Sequence, residues 1–160
     1  MIVAIYLAAI VLANVAVSIL GASWSPVVGF IFIGLDLTLR DKLHEQWRGD
    51  RLFLKMAALI VWGGLLSVLV QPAATDVAIA SCLTFILSSA TDAWVYTRMR
   101  PSGKQRARYS SNVAGALVDS MVFIPMAFGV LLPLVMLAQF LAKAAGGMLW
   151  AWMLNRKERT

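Results

Sequence analysis

Long apolar runs broken by short polar clusters give this chain its pattern. A helix needs about 20 mostly apolar residues to cross roughly 30 Å of hydrocarbon. Six stretches meet or approach that length: Ile2 to Leu20, Pro26 to Leu39, Leu52 to Val70, Val77 to Val95, Asn112 to Phe128 and Leu132 to Leu154. The second and fifth are short and are expected to tilt less or to end in the headgroup layer. The breaks carry turn chemistry: GASWSP after Leu20, the charged stretch Arg40 to Arg51, QPAAT from Gln71, the basic stretch Met99 to Tyr109, and Gly129 to Pro133. Connections this short make successive helices antiparallel neighbours. The pattern therefore predicts an all-α integral membrane protein, a compact six-helix bundle forming one domain over residues 1–160, with no internal repeat.

Composition supports the lipid environment. Of 160 residues, 61% are hydrophobic and 14% charged, against about 45–50% and about 25% in soluble domains. Cys82 is the only cysteine, which excludes an intrachain disulfide and a cysteine zinc cluster. The net charge of +6 would raise nucleic acid as a partner in a soluble protein. Here the basic residues sit in alternate connections: Arg40, Lys42, Arg48 and Arg51; then Arg98, Arg100, Lys104, Arg106 and Arg108; then Arg156, Lys157 and Arg159. That is the positive-inside pattern, so both termini are expected in the cytoplasm and nucleic acid is not expected as a partner. The first apolar run lacks the basic flank of a signal peptide and reads as a retained span. Trp24, Trp47, Trp94 and Trp152 lie near span ends, where indoles anchor at the interface. His44 reads as solvated, and Asp41 and Glu45 as surface partners of Lys42 or Arg48.

Ionisable groups inside spans are unfavourable by about 2.5–3.5 kcal/mol each on insertion scales, so they point to function. Four stand out: Asp36, Asp92, Asp119 and Lys143. At 1.5 Å per residue, Asp36 and Asp92 lie about 6–9 Å from the cytoplasmic ends of their helices, Asp119 and Lys143 about 10–17 Å, and Asn14 about 18 Å. Helical spacing puts Asn112, Gly115, Asp119 and Phe123 on one face, and Gln139, Lys143, Gly146 and Trp150 on another. Ser88, Asp92 and Tyr96 share a third, and Asp36 precedes Arg40 by one turn. Convergent polar groups within aromatic and apolar walls are what a pocket for a small polar ligand requires. The competing reading is purely structural: a buried Asp119–Lys143 ion pair and an interfacial Asp36–Arg40 pair. No P-loop, H-E-x-x-H or G-x-S-x-G motif occurs. An Asp92–Asp119 protease dyad lacks its flanking glycine signatures, so no enzymatic activity, catalytic residue, metal or cofactor is expected.

Four stretches then carry a resemblance: FIFIGLDLTLRD, SSATDAWVYTRMR, SSNVAGALVDSMVFIPMAF and QFLAKAAGGMLWAWMLNRK. Within them stand D-L-T-x-R at Asp36 to Arg40, D-x-x-V-Y-x-R-x-R at Asp92 to Arg100, and D-S-x-x-F-x-x-x-A-F at Asp119 to Phe128. In order and membrane position these resemble the motifs of the queuosine-precursor transporter family, also called the vitamin uptake transporter family. Lys143 falls where that family has a last-helix lysine, and Asn14 where it has a first-helix asparagine. The resemblance implies a six-helix bundle similar to the substrate-binding components of energy-coupling vitamin transporters. It also implies uptake across the inner (cytoplasmic) membrane of a 7-deazaguanine, 7-cyano-7-deazaguanine or its 7-aminomethyl relative. A guanine-like edge presents adjacent N–H donors that a carboxylate accepts together, while aromatic rings stack on its flat face. Asp119 or Asp92 would be the acceptor, with Asn14, Gln139 and Lys143 on the carbonyl side and Phe123, Tyr96 and Trp150 as stacking partners. Asp36, Arg40 and Asn112 complete the expected site. Two other classes stay open: a binding component that needs a separate ATPase, and a pore-forming structural protein. An ATPase partner is not required in the preferred reading, and homo-oligomerisation is left open.

Overall fold

The computed structural model describes residues 1–47 and 51–156, apart from the side chains at 37, 38, 41, 44, 45, 52, 53, 104, 105, 108, 151, 152 and 154–156. The expectations for Asp41, His44, Glu45, Arg48 and Trp152, and for Lys104, Arg108, Arg156, Lys157 and Arg159 in the basic clusters, fall outside that description. Among the described residues every regular element is helical: α1 (Ile2–Leu20), α2 (Ser25–Val28), α3 (Gly34–Gln46), α4 (Leu52–Val70), α5 (Thr75–Met99), α6 (Lys104–Phe128) and α7 (Pro133–Arg156). A π-turn, Gly29–Ile33, carries α2 into α3 without a break, and short 3₁₀ turns lie at Ala22–Trp24, Pro72–Ala74 and Arg100–Ser102.

Helix is the natural answer to this sequence, because a segment in lipid must satisfy its backbone N–H and C=O groups internally. The runs end where the backbone is allowed to turn. Gly21 and Gly129 close α1 and α6 at φ +83° and +67°, conformations that cost glycine little. The Gly129 N–H donates to the Pro125 carbonyl at 2.9 Å, completing the last turn of α6. Four stretches are long and apolar enough to cross a membrane: Ile2–Leu20, Pro72–Ser102, Tyr109–Phe128 and Pro133–Trp150. Ala22–Asp36 and Leu54–Val70 are shorter apolar helices.

Two boundaries differ most from the sequence expectation, with smaller shifts at both ends of α5 and α7. The second helical stretch continues to Gln46 rather than stopping at Leu39, and α6 starts at Lys104 rather than Asn112. Charge marks where lipid is expected to end, not where helix ends. Lys, Arg, Gln and Glu are good helix formers, so the charged segments extend the rods.

The helices close into a ring. α5 packs along α6, α6 on α7, α7 on α2, the π-turn and α3, this rod on α1, α1 on α4, and α4 back on α5. Residue pairs fix the directions. Asn14 meets Ser67, and Ile10 fills the space above Gly63, so α1 and α4 run parallel. Gly29 faces Gln139 and Lys143 while Gly34 faces Gly146, so the α2–α3 rod runs parallel to α7. Two apolar clusters fill the ring at its opposite ends. Tyr6, Ile10, Leu39, Leu43, Met56 and Ile60 pack at the end where α1 begins. Ala13, Val17, Val28, Val77, Ala80, Phe123 and Ile124 pack toward the other.

The distribution of polarity is inverted relative to a water-soluble bundle. Asn14, Ser67, Thr84, Ser120, Gln139 and Lys143 are buried, whereas Leu69, Leu134 and Met148 are each more than 70% exposed. Apolar side chains cover the outside of the ring and polar ones line its interior, which is the arrangement a lipid solvent selects.

Candidate functional site

Beside the second of the two apolar clusters, sharing Ala13, Val17, Val28 and Phe123 with it, lies a cavity of about 40 Å³. Its polar lining comes from Asn14, Ser25, Ser81, Asp119, Gln139 and Lys143. Phe123 supplies an aromatic wall, and Gly29 a bare stretch of backbone. A Cβ on Gly29 would stand 3.5 Å from Lys143 Cγ and 3.6 Å from Cε, so the glycine gives the lysine stem its bed.

The central contact is an ion pair in which the Lys143 ammonium donates to Asp119 Oδ2. Its two ends are unequally buried, with the lysine side chain 4% exposed and the aspartate 25%. Lys143 Nζ also lies 5.5 Å from the centroid of the Phe123 ring, within cation–π range. Two further cavity groups are buried without a hydrogen-bond partner in the protein: Ser25 Oγ and Gln139 Oε1. Burying such groups unpaired is unfavourable by about 1–3 kcal/mol each. Asn14 is anchored, its Nδ2 donating to Ser67 Oγ at 3.0 Å. Ser67 Oγ in turn donates to the Gly63 carbonyl at 2.7 Å, so α4 fixes the asparagine from behind.

Asp36 lies beside the cavity rather than in it, buried with Oδ1 unpartnered. It is in electrostatic reach of Arg40, Tyr6, Asp119 and Lys143. Arg40 turns its guanidinium over the Phe85 ring at 5.4 Å. The remaining sequence candidates stand elsewhere. Asp92 is half-buried on the α5–α6 seam, its Cβ against Gly115. Tyr96 is half-buried beneath Arg100, 5.7 Å from ring centroid to guanidinium. Asn112 is exposed. Trp150 donates its indole N–H to the Ile31 carbonyl at 2.9 Å, tying α7 to the π-turn. Thus Asn14, Asp119, Phe123, Gln139 and Lys143 meet in one cavity with Asp36 and Arg40 next to it, while Asp92, Tyr96, Asn112 and Trp150 do not line it.

The family described as "putative vitamin uptake transporter" matches residues 1–155. The chain belongs to that family. It is the family of queuosine-precursor transporters, so the resemblance read from the four motifs and the family match agree. No curated protein and no solved structure matches the chain. Membership and the apolar helices together make the protein a multi-pass membrane transporter.

Ser25 and Ser81 line the cavity and Tyr6 lies near Asp36 beside it, three positions of the transporter that sequence reasoning missed. Ser25 sits just before Pro26 at the start of α2, where a serine ordinarily reads as a turn or cap residue. Ser81 lies two turns before Ser88 on the Ser88–Asp92 face, so extending that stripe would have reached it. Tyr6 shares the buried stripe of α1 with Ile10, Ala13 and Asn14, and its hydroxyl was hidden in an apolar run.

Proposed function

We propose that this transporter imports a 7-deazaguanine queuosine precursor across the inner membrane, binding it in the cavity between Asp119, Lys143, Gln139, Ser25, Asn14 and Phe123. Supporting this reading is one observation: an ion pair, an anchored amide and two unpartnered polar atoms converge on an aromatic wall inside the ring. The deazaguanine edge carries adjacent N–H donors and a carbonyl acceptor on a flat ring. Asp119 accepts the donors, Lys143 moves to the carbonyl, Gln139 and Ser25 take the remaining polar positions, and Phe123 stacks. Family membership supports transport, and the polar inventory of the cavity supports a purine-like cargo over an apolar vitamin.

The basic clusters flank the helices in alternation, which supports six spans with both termini in the cytoplasm. The protein works on this reading without an ATPase subunit. Uptake of labelled 7-cyano-7-deazaguanine by cells unable to make it tests the assignment. Asp119→Asn is expected to lower uptake at least about tenfold, the effect of losing one charge-assisted hydrogen bond worth about 1.5–3 kcal/mol, with membrane insertion unchanged. Undiminished uptake by that variant refutes the site. The purified chain alone in liposomes should import the same compound, and a strict need for added ATPase would refute the single-chain reading.

A further inference from the structure

Asp36 and Tyr6 form a second buried polar site that the ligand cavity does not use. Asp36 is 9% exposed and Tyr6 fully buried, and both Asp36 Oδ1 and the Tyr6 hydroxyl lack a hydrogen-bond partner. The two groups face each other from α3 and α1 within electrostatic reach. Among the described residues, the cations within electrostatic reach are Arg40, one turn along the same helix with its guanidinium over Phe85, and Lys143, from α7, which is paired with Asp119 of α6. Tyr6 belongs to the apolar cluster of Ile10, Leu39, Leu43, Met56 and Ile60.

An ionised carboxylate in that position would carry a buried charge with one oxygen bare, an expense of several kcal/mol. A proton removes the charge, and the Tyr6 hydroxyl, which can donate or accept, suits the neutral carboxylic acid as well. We propose that Asp36 with Tyr6 is a proton-binding site, loaded in this closed arrangement and emptied when the end of the ring near Arg40 opens to water, so that each transport cycle carries a proton with the substrate. The proton moves from solvent to Asp36 Oδ and back to solvent, and no other bond is made or broken. The coupling half of this proposal rests on the transport reading above; the protonation half does not.

The two halves are tested separately. Infrared difference spectra of the purified protein in lipid, with no substrate, should show a carboxylic-acid C=O stretch at neutral pH. Asp36→Asn should abolish that band and Asp92→Asn, on the α5–α6 seam, should leave it. A wild-type spectrum without the band, or a band that survives Asp36→Asn, overturns the proposal. In liposomes with the membrane potential clamped to zero, an inward gradient of one pH unit should concentrate 7-cyano-7-deazaguanine about tenfold for one proton per molecule. Asp36→Asn should bind the compound as the wild type does yet only equilibrate it, and Asp36→Glu should restore part of the accumulation. Accumulation by the wild type that ignores the pH gradient overturns the coupling. Failure of the wild type to bind the compound would instead count against the substrate assignment, leaving the infrared result to decide the proton site.

Discussion

Lys143 and Asp119 offer the sharpest test of the packing, because the two ends of their ion pair are unequally buried. Lys143 is 4% exposed at its side chain and Asp119 25%. Removing one partner of a buried pair is destabilising by about 3–5 kcal/mol because the other charge is left without compensation. Asp119→Leu strands the deeper charge and should fall at the upper end of that range, whereas Lys143→Leu leaves the less buried acid and should fall below about 3 kcal/mol. The double variant Asp119→Leu/Lys143→Leu should recover most of the loss, since replacing both charges with apolar side chains is often neutral. Reversible unfolding of the four proteins in mixed micelles gives the coupling energy. Interhelical hydrogen bonds in membrane proteins average about 0.6 kcal/mol and reach about 1.7 at most. A coupling energy above that ceiling identifies a desolvated ion pair. A value below it, or a Lys143→Leu variant less stable than Asp119→Leu, would refute the unequal burial on which the reasoning rests. The double variant should fold but import nothing, which separates the pair's role in stability from its role at the cavity.

Other outcomes follow from the same coordinates. A Cβ on Gly34 would stand 2.5 Å from the Gly146 carbonyl carbon, so Gly34→Ala should prise α3 from α7 at an overpacking penalty of about 1–3 kcal/mol, read as a lower melting temperature. Trp150→Phe keeps an aromatic ring but deletes the donor to the Ile31 carbonyl, and should destabilise by about 0.6 kcal/mol and no more than about 1.7 kcal/mol while leaving affinity for the proposed substrate intact. Gln139→Leu removes a buried oxygen that has no partner, so it should stabilise the empty protein slightly and weaken ligand binding, seen by calorimetry as opposite signs for the two measurements.

How much of this was legible in the sequence depends on what kind of signal each feature leaves. Helical content was, because long apolar runs in lipid admit few alternatives. Asp119 and Lys143 were singled out because charge in a span is rare, and helical spacing correctly placed Phe123 with one and Gln139 with the other. Asp92 and Tyr96 carry the same signal yet stand on the α5–α6 seam and beneath Arg100. Periodicity says which residues share a face, not which neighbour that face meets. The π-turn left no mark at all: GFIFI reads as ordinary apolar helix, yet the extra residue in its turn shifts the register in which Gly29 and Gly34 meet α7. Ser25 and Tyr6 were hidden because a single hydroxyl in an apolar or turn segment has a common bland explanation.

The size of the cavity bears on how the proposed substrate would enter. Its volume of about 40 Å³ is room for about one water, whereas small-molecule sites occupy about 300–1,000 Å³, so a ligand enters only if two rods separate. Two of α7's seams border the space. Toward the α2–α3 rod, backbone meets backbone at Gly34 and Gly146, Gly146 presses on Phe30, and Trp150 bonds to Ile31. Toward α6 the polar tie at the cavity is the Lys143–Asp119 pair. The ligand's own donors can replace Lys143 on Asp119, so the seam that the ligand can compensate for breaking is the α6–α7 seam. Spin labels at Met121 of α6 and Leu141 of α7, both more than 50% exposed, should move apart when the proposed deazaguanine substrate is added, in a protein whose half-buried Cys82 has been replaced by alanine. Labels at Val27 and Leu141 should keep their spacing, because α2 and α7 travel together. Should the second distance change and the first hold, the glycine seam is the one that opens, and the ion pair is a fixed strut rather than the ligand's competitor.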